Sequence, residues 1–264
     1  MPTSTKPSFN TLTILVPTYN EELTILDTLK KLLELPEQVI PLHVEVIVID
    51  DCSTDKTAHM VSSFVGNASF DGISFKLLNH ERNWGKGRAI RTGIASASGD
   101  VLIIQDADLE YDSYEIPSVI DPILQGKADV VYGSRFMTKK ASRVLYFYHY
   151  LANKCLTFLS NLFTNMNMTD IETGYKAFRA DILYNMILSS NRFGFEVEVT
   201  AKIAKINCRV YEVPISYYGR TYEEGKKIGF KDGVKAIFLI FYYNLLVGRS
   251  RSFRKNFLTK SGKI

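Results

Sequence analysis

The chain of 264 residues is 46% hydrophobic and 23% charged, with a formal net charge of +4. This composition is typical of a globular protein with a sizeable core, and it excludes a disordered chain and a collagen-like chain. The three cysteines, Cys52, Cys155 and Cys208, are too few and too scattered for a disulfide framework or a zinc site, so they favour a reducing, cytoplasmic environment.

The first half of the chain alternates strand and helix signals. Apolar and β-branched runs predict strands at residues 12–16, 44–49, 74–78, 101–105 and 129–132. Helical spacing of apolar residues predicts helices at residues 21–35, 54–64, 86–97 and 113–124. Such alternation predicts an α/β fold, a mostly parallel sheet covered by helices on both faces. Ligands of these sheets bind beyond the carboxyl ends of the strands.

The second half of the chain is more aromatic and ends in basic residues. Residues 143–163 are rich in Tyr, Phe and Leu, and a second apolar helix is expected near residues 234–247. Such helices suit a lipid headgroup boundary, although two ordinary core helices fit the same pattern. Residues 195–206 predict a helix and residues 210–213 a strand. No acidic residue follows Asp232, while these basic residues do: Lys235, Arg249, Arg251, Arg254, Lys255, Lys260 and Lys263.

Targeting and membrane-spanning signals are absent from the sequence pattern. The N-terminal residues MPTSTKPSFN are polar and do not predict a signal peptide. No apolar run reaches the roughly 20 residues that a spanning helix requires. The closest run, residues 236–247, contains Asn244. We therefore expect a protein that lies on a membrane surface without crossing it.

Polar clusters follow three of the predicted strands. They occupy residues 16–22 (VPTYNEE), 50–55 (DDCSTD) and 105–110 (QDADLE). A single acidic turn is commonly a solvated loop or a helix cap, and Asp55 fits a cap. Three clusters at neighbouring strand ends form one acidic rim, and crowded carboxylates are costly unless a cation or a bound ligand compensates them. The rim therefore predicts a functional site.

The sharpest local feature is the pair Asp106 and Asp108. Alternate residues that leave a strand can aim two carboxylates at one point, and hard oxygen ligands select Mg²⁺ or Mn²⁺. Such an ion would bridge a diphosphate and neutralise charge as the diphosphate departs. The glycines of residues 83–88 (NWGKGR) do not form a dinucleotide fingerprint, because Ile90 stands where the third glycine belongs.

The runs VPTYNEE, VIVIDDCSTDKT and NWGKGRAIRTGIASASGDVLIIQDADLEYD together resemble the GT-A family 2 glycosyltransferases. The chain is most similar to the branch of dolichol-phosphate mannose synthases and polyprenyl-phosphate glycosyltransferases. The residues of that branch are GSRF at 133–136, Asp170, TGYKAFR at 173–179 and EVPI at 212–215. The resemblance covers residues 12–230, and it implies a GT-A, Rossmann-like sheet flanked by helices, with C-terminal amphipathic helices.

The resemblance implies an activity and a set of site residues. The activity is inverting, metal-dependent transfer of a hexose from a nucleotide-sugar, of GDP-mannose or UDP-glucose type, to a polyprenyl or dolichyl phosphate. The residues implied in donor binding are Pro17, Tyr19, Glu21, Asp51, Asp106, Ala107, Asp108, Arg135, Arg220 and Lys226. Those implied in holding Mg²⁺ or Mn²⁺ are Asp106, Asp108 and Glu110. Asp106, Asp108 and Arg135 are the implied catalytic residues, and the acceptor phosphate would meet Arg135, Arg143 and Arg220.

The chain departs from the family pattern at three places. Members often have Gln at the position of Glu110, whose carboxylate adds negative charge to the metal site. The loop around Lys226 usually reads Gly-x-Ser-Lys, whereas residues 222–227 read YEEGKK. Cys52 replaces the glycine that usually follows Asp-Asp, so a backbone conformation reserved for glycine is not expected there.

The type of acceptor follows from a missing base. A sugar hydroxyl is a poor nucleophile and needs a general base, whereas an anionic phosphate needs only cations to hold it. The Q-x-x-R-W segment of polysaccharide-making relatives is absent, and the single tryptophan is Trp84. We therefore expect the partners to be a nucleotide-sugar, a polyprenyl phosphate and the cytoplasmic face of a membrane, and no nucleic acid.

The implied organisation is a disordered tail at residues 1–10, a catalytic domain at residues 11–230 and a C-terminal apolar helix with a basic tail at residues 231–264. Residues 143–168 would form amphipathic helices on the acceptor side. Two alternatives stay open: a glycosyltransferase that acts on a soluble glycan or protein, and a non-catalytic protein that binds nucleotide-sugars. A nucleotidyltransferase would need a basic, glycine-rich loop after the first strand, where this chain has PTYN.

Overall fold

The structure, a computed structural model, describes residues 9–35, 39, 42–66, 71–137, 144, 146–220 and 229–259. The strands are β1 (Thr11–Thr18), β2 (His43–Asp50), β3 (Ile73–Asn79), β4 (Val101–Ile104), β5 (Val130–Ser134), β6 (Lys176–Arg179) and β7 (Val210–Pro214). The helices are α1 (Ile25–Leu33), α2 (Thr57–Gly66), α3 (Lys86–Ser96), α4 (Ile116–Leu124), α5 (Phe147–Thr164), α6 (Ala180–Asn185), α7 (Phe195–Ile203), α8 (Phe230–Phe241), α9 (Arg249–Ser252) and α10 (Lys255–Leu258). A π-helical turn, Tyr242–Leu246, continues α8.

The seven strands form one sheet in the order β3-β2-β1-β4-β6-β5-β7. The pairs that involve β6 are antiparallel and the other pairs are parallel. The predicted α/β class with a mostly parallel sheet is therefore confirmed. The strand order reverses between β1 and β4, because β2 and β3 lie on one side of β1 and the later strands on the other. Ligands of open α/β sheets bind at such a switch point, beyond the carboxyl ends of the strands.

Strands β1, β2, β4 and β5 are buried on both faces over most of their length, which explains why they are rich in Val, Ile and Leu, whereas the edge strands β3 and β7 are partly exposed. Ile14 and Val48 point into the layer that α1 and α4 cover, whereas Leu15 and Ile49 point into the layer that α3 and α7 cover. All four side chains have no solvent exposure. Each fully buried side chain of this size contributes roughly 1.5–3 kcal/mol to folding, so the sheet holds the loops at its carboxyl edge rigidly.

Two helices begin later than the sequence pattern predicts. Helix α1 begins at Ile25 rather than residue 21, and the backbone N–H of Glu21 instead donates to the Thr57 hydroxyl, 2.8 Å away. Helix α2 begins at Thr57, where Asp55 Oδ1 accepts the Thr57 N–H at 2.9 Å. This confirms Asp55 as a helix cap. The residues before α1 and α2 therefore belong to loops that contact each other.

Strand β6 was not predicted as a strand. It is only four residues long, and its first residue, Lys176, is completely buried. The Lys176 ammonium donates to the Ile171 carbonyl at 3.0 Å and lies 4.8 Å from the centre of the Tyr132 ring. A buried lysine obscures the apolar pattern of a strand. In addition, the strands that pair with β6, namely β4 and β5, lie far from it in the chain.

Helices α5 and α8 lie side by side, with the rings of Phe163 and Phe241 5.0 Å apart. In α5 the buried residues are Leu156, Thr157 and Ser160, and Leu159 and Phe163 pack against the core, so one face of α5 covers the core and the other is exposed. The large apolar side chains exposed on these helices and the π turn, here called the apolar surface, are Phe147, Tyr148, Tyr150, Leu151, Phe158, Leu162, Val234, Ile237, Phe238, Phe241, Tyr242, Leu245 and Leu246.

The basic C-terminal segment folds back onto the domain. Phe253 is 1% exposed and forms an isolated bridge with Met186, and the Arg254 N–H donates to the Asn185 carbonyl at 2.9 Å. Arg251, Arg254 and Lys255 are exposed, whereas Lys260 and Lys263 lie outside the described residues. Within the described part of the chain, we find no helix whose length and apolar character would let it span a bilayer.

Candidate active site

The loops after β1 and β2 are joined by hydrogen bonds at the carboxyl edge of the sheet. The Asp51 N–H donates to the Thr18 carbonyl at 2.8 Å and the Asn20 N–H donates to Ser53 Oγ at 2.9 Å. The Thr54 N–H returns a bond to Asn20 Oδ1 at 2.8 Å. The first two polar clusters of the sequence therefore form one continuous wall beside the switch point.

The residues predicted to bind the donor nucleotide lie on or behind this wall. Pro17 and Tyr19 are half-buried, and Glu21 is 9% exposed. The Asp51 carboxylate accepts hydrogen bonds from the His80 ring at 2.6 Å and from the Gly85 N–H, also at 2.6 Å. In this structure Asp51 thus fixes the loop that precedes α3, and its contact with a nucleotide stays a prediction.

A non-glycine residue with positive φ follows each of β1, β2 and β4: Asn20 (53°), Cys52 (64°) and Leu109 (60°). This left-handed region costs roughly 1–2 kcal/mol for a residue with a side chain, and such strain clusters at functional sites. The expectation that Cys52 avoids a glycine-like backbone was wrong. Hydrogen bonds between the loops hold the residues on both sides of Cys52, Asp51 to the Thr18 carbonyl and Ser53 to the Asn20 N–H, and this arrangement accounts for the left-handed conformation.

The Asp106 carboxylate is paired with Lys86, which the sequence analysis did not assign to the site. Lys86 Nζ lies 2.8 Å from Asp106 Oδ1 and 2.9 Å from Oδ2, and 3.3 Å from Glu196 Oε1. Burial by itself lowers the pKa of Lys86, but the charges of Asp106 and Glu196 raise it well above its ordinary value. The sequence signal for Lys86 is the NWGKG motif, which carries part of the family resemblance but does not by itself indicate the partner of this lysine.

Asp108 lies beside two other carboxylates. Its Oδ1 accepts the Glu110 N–H at 3.1 Å. Burial, together with the negative charges of Asp106 and Glu110, raises the pKa of Asp108 to about 7. A raised carboxyl pKa means that the surroundings do not compensate the ionised form. The oxygen-rich surroundings of Asp108 therefore suit a hard divalent cation.

Arg220 joins the loop after β1 to the loop after β4. Its Nη2 donates to Glu21 Oε2 at 2.7 Å and to the Asp108 carbonyl at 2.8 Å, and its backbone N–H donates to Glu110 Oε1 at 2.8 Å. Glu21 and Arg220 are 199 residues apart in sequence. The structure thus brings together four of the predicted residues in one hydrogen-bonded group.

Arg135 forms a bidentate ion pair with the buried Asp170, at 2.7 Å from Nε and 2.8 Å from Nη2. Nη2 also donates to Asn153 Oδ1 on α5 at 3.2 Å. The guanidinium lies 5.1 Å from the centre of the Tyr217 ring, and the Tyr217 hydroxyl donates to Glu110 at 2.9 Å. Tyr217, which carried no sequence signal, therefore connects Arg135 to the loop after β4.

The TGYK segment contacts the loop after β4 at Gly174. The Gly174 N–H donates to the Tyr111 hydroxyl at 2.9 Å. A Cβ atom at position 174 would lie 2.2 Å from Asp106 Oδ2 and 3.1 Å from the Tyr111 ring. The close approach of residue 174 to the Asp106 carboxylate therefore requires glycine. The sequence motif contained this glycine, but the contact that explains it is visible only in the structure.

No group of three histidine, cysteine, aspartate or glutamate side chains converges as metal ligands among the residues that the structure describes. Lys86 holds Asp106, while Tyr217 and Arg220 hold Glu110. The set Asp106, Asp108 and Glu110 therefore stays a predicted metal site.

Three further residues were predicted at the site: Ala107, Arg143 and Lys226. Arg143, expected at the acceptor phosphate, and Lys226, expected at the donor, both lie outside the described residues. The Ala107 side chain is buried, and its carbonyl accepts the Thr28 hydroxyl at 3.2 Å. Ala107 therefore anchors the loop after β4 to α1, and its contact with a donor stays a prediction.

Comparisons with known proteins agree with this architecture. The model of the family "Glycosyl transferase family 2" matches residues 13–187. An undecaprenyl-phosphate mannosyltransferase of Micrococcus luteus is 29% identical over 81% of this chain and 86% of its own length. A dodecaprenyl-phosphate galacturonate synthase of Rhizobium johnstonii is 25% identical over 81% of this chain and 61% of its own length. A dolichol-phosphate mannosyltransferase of Pyrococcus furiosus is 26% identical over 83% of this chain and 59% of its own length.

A solved structure has the same fold. Glucosyl-3-phosphoglycerate synthase from Mycobacterium tuberculosis, in complex with Mn²⁺, uridine diphosphate and phosphoglyceric acid, has a TM-score of 0.65 at 17% identity. The alignment covers 89% of this chain and 79% of that protein. The predicted GT-A architecture and the similarity to polyprenyl-phosphate sugar transferases are thus confirmed. The family match covers more than half of the sequence, and the chain belongs to glycosyl transferase family 2.

Proposed function

We propose that this protein transfers a hexose from a nucleotide-sugar to a polyprenyl or dolichyl phosphate, with inversion at the anomeric carbon. The observation that carries the proposal is the convergence of three features at the switch point between β1 and β4. These are the loop with Asp106 and Asp108, the Arg220–Glu21 pair and the Arg135–Asp170 pair. The names of the relatives support the lipid-phosphate acceptor.

The chemistry is a single displacement. An oxygen of the acceptor phosphate attacks the anomeric carbon, the bond from that carbon to the diphosphate breaks, and the nucleoside diphosphate leaves with the bonding electrons. The phosphate is already anionic, so no general base is needed. Arg135 and Arg220 provide positive charge on either side of Tyr217 and Glu110, where they can orient phosphate groups.

A divalent cation, Mg²⁺ or Mn²⁺, is part of the proposal. Asp106 and Asp108 would hold it, with Glu110 adjacent, and it would neutralise charge on the departing diphosphate. The residues fit such an ion because the negative charge of Asp108 is poorly compensated by its neighbours. The Glu110 oxygens accept the Tyr217 hydroxyl and the Arg220 N–H, one bond each, and each oxygen keeps a further lone pair that could face a cation.

The apolar surface supports a position on a membrane. Large apolar side chains exposed on adjacent helices suit the headgroup boundary, and the exposed Arg251, Arg254 and Lys255 suit anionic lipids of a cytoplasmic leaflet. Asn153 of α5 contacts Arg135, so the apolar surface adjoins the proposed phosphate site. We place the acceptor lipid along this surface, with residues 11–230 as the catalytic unit.

The test is a donor and acceptor screen. Purified protein is mixed with Mn²⁺ or Mg²⁺, a panel of nucleotide-sugars, and vesicles that contain a short polyprenyl phosphate. We expect release of nucleoside diphosphate with one donor, only when both the metal and the polyprenyl phosphate are present. Matched vesicles that lack the polyprenyl phosphate serve as the control.

Two results would contradict the proposal. Transfer to a soluble glycan or protein, without any need for lipid, would keep the enzyme class but replace the acceptor. Binding of donor and metal without release of diphosphate under any condition would identify a non-catalytic nucleotide-sugar-binding protein.

Replacing Arg220 with alanine is expected to raise the donor KM at least tenfold. The change leaves Glu21 buried without this partner and disconnects the loop after β1 from the loop after β4, which should cost about 2–3 kcal/mol of unfolding free energy. The donor KM and the unfolding free energy of Arg220→Lys should lie between those of wild type and Arg220→Ala, because lysine keeps the charge but not the forked geometry. Steady-state kinetics and urea unfolding measure both effects. Arg88→Ala removes an exposed arginine as a control, and an unchanged donor KM in Arg220→Ala would exclude the role.

A further inference from the structure

Lys86 is a buried cation in direct contact with a carboxylate of the proposed metal site. It is the first residue of α3 and belongs to the NWGKG segment, which the proposed reaction does not explain. Its ammonium contacts both oxygens of Asp106, at 2.8 and 2.9 Å, and lies 3.3 Å from Glu196 Oε1. The Lys86 and Asp106 side chains are each 17% exposed, and that of Glu196 is 7% exposed.

The backbone around Lys86 is fixed on both sides. Gly85 has a φ of 96°, and a Cβ there would lie 2.6 Å from the Arg192 side chain. A Cβ at Gly87 would lie 2.6 Å from the Ser190 carbonyl. The Asp51 carboxylate also accepts the Gly85 N–H at 2.6 Å. The two glycines and Asp51 therefore hold the start of α3 in the position from which Lys86 reaches Asp106.

The position of the ammonium matters for cation binding. A lysine ammonium donates hydrogen bonds and cannot be a metal ligand. Contact with both Asp106 oxygens places a positive charge beside the carboxylate that a divalent cation would use, and the two cations repel each other. Glu196, in the first turn of α7, already forms the second ion pair of Lys86 at 3.3 Å, and the charge of Lys176 also acts on Glu196.

We propose that Lys86 is an internal counter-ion that Asp106 and Glu196 share when no metal is bound, and that it moves away from Asp106 and closer to Glu196 when a divalent cation binds Asp106. This inference rests on the proposed function, because it takes Asp106 to be a metal ligand. Cation binding then becomes an exchange of partners. Lys86 is paired with both Asp106 and Glu196 in the free protein, and it would pair with Glu196 alone in the metal-bound protein.

Direct measurement of Mn²⁺ binding tests the exchange without using turnover. The signal of free Mn²⁺ in electron paramagnetic resonance gives the affinity of the full chain in the absence of donor and acceptor. Lys86→Gln is expected to bind Mn²⁺ about tenfold more tightly than wild type, because the competing charge is gone. Arg88→Gln, an exposed residue of the same helix that also loses one positive charge, is expected to change the affinity by less than about twofold.

The role of Glu196 is tested with a second variant. Glu196→Gln keeps the side-chain shape but weakens the alternative partner of Lys86, so Mn²⁺ binding should become about fivefold weaker. Simple loss of a nearby negative charge would also weaken binding, so the double variant decides. In the Lys86→Gln background the effect of Glu196→Gln should disappear if Glu196 acts through Lys86, and it should persist if Glu196 acts on the metal directly.

The outcomes separate this inference from the proposed function. If wild type binds Mn²⁺ and Lys86→Gln binds it equally well or less well, the counter-ion exchange is wrong and the metal site stands. If wild type binds no Mn²⁺ with or without nucleoside diphosphate, the metal site in the proposed function is wrong, and the counter-ion exchange, which depends on that site, is wrong as well.

A crystal structure of wild type with Mn²⁺ and nucleoside diphosphate is a second test, and it needs no substitution that could impair folding. Lys86 Nζ closer to Glu196 than to Asp106 supports the exchange. Lys86 still in contact with both Asp106 oxygens beside a bound Mn²⁺ overturns it.

Discussion

Asp108→Asn is expected to lower sugar transfer about a thousandfold, because the amide replaces a charged ligand of the proposed cation, which would stabilise the departing diphosphate. The asparagine Oδ1 can still accept the Glu110 N–H, so the local hydrogen bond is kept. The measurement is initial-rate kinetics with saturating metal. Turnover near that of wild type would exclude Asp108 as a metal ligand.

The same substitution is expected to stabilise the metal-free protein at pH 8. Folding raises the pKa of Asp108 from 3.8 to about 7, so between these pH values the folded chain binds the proton more tightly than the unfolded chain. The stability of the wild type therefore falls as the pH rises through this window, and asparagine removes the loss. Thermal unfolding of wild type and Asp108→Asn at pH 5 and pH 8 measures this loss of stability. Asp27→Asn, a substitution of an exposed aspartate, is the control. A destabilised Asp108→Asn at pH 8 would point to a structural carboxylate instead.

Gly174→Ala is expected to lower kcat about a hundredfold, because a displacement of about 1 Å in a catalytic group has effects of this size. The added Cβ would lie 2.2 Å from Asp106 Oδ2, so the carboxylate has to move, which disturbs its contact with Lys86. Mn²⁺ affinity should change in parallel, since Asp106 is a proposed ligand. Kinetics and Mn²⁺ binding together separate a displaced carboxylate from a protein that no longer folds.

The matched control for Gly174→Ala is Gly66→Ala. Gly66 is exposed at the end of α2, and a Cβ there meets no atom within 4 Å. Gly66→Ala should leave turnover unchanged. If Gly174→Ala also retains full turnover and Mn²⁺ affinity, the close contact between Gly174 and Asp106 has no catalytic importance.

Local pattern was enough to predict much of the fold. Strands buried on both faces have nearly continuous Val and Ile runs, as in β2, and their positions follow from the sequence within a few residues. The acidic clusters after β1, β2 and β4 were predicted to lie together, because adjacent parallel strands end at the same edge. The order β2-β1-β4 in the sheet confirms this.

The tertiary structure decided which charges pair. The Glu21–Arg220 pair spans 199 residues, and the contacts of Lys86 with Asp106 and Glu196 join three separate segments. Strand β6 depends on two antiparallel partners, and Cys52 adopts a φ of 64° because neighbouring loops impose it. Sequence alone determined the family, the main strands and the acidic edge, since these follow from local residue patterns. The partners of each buried charge depended on distant segments meeting, which a local pattern does not contain.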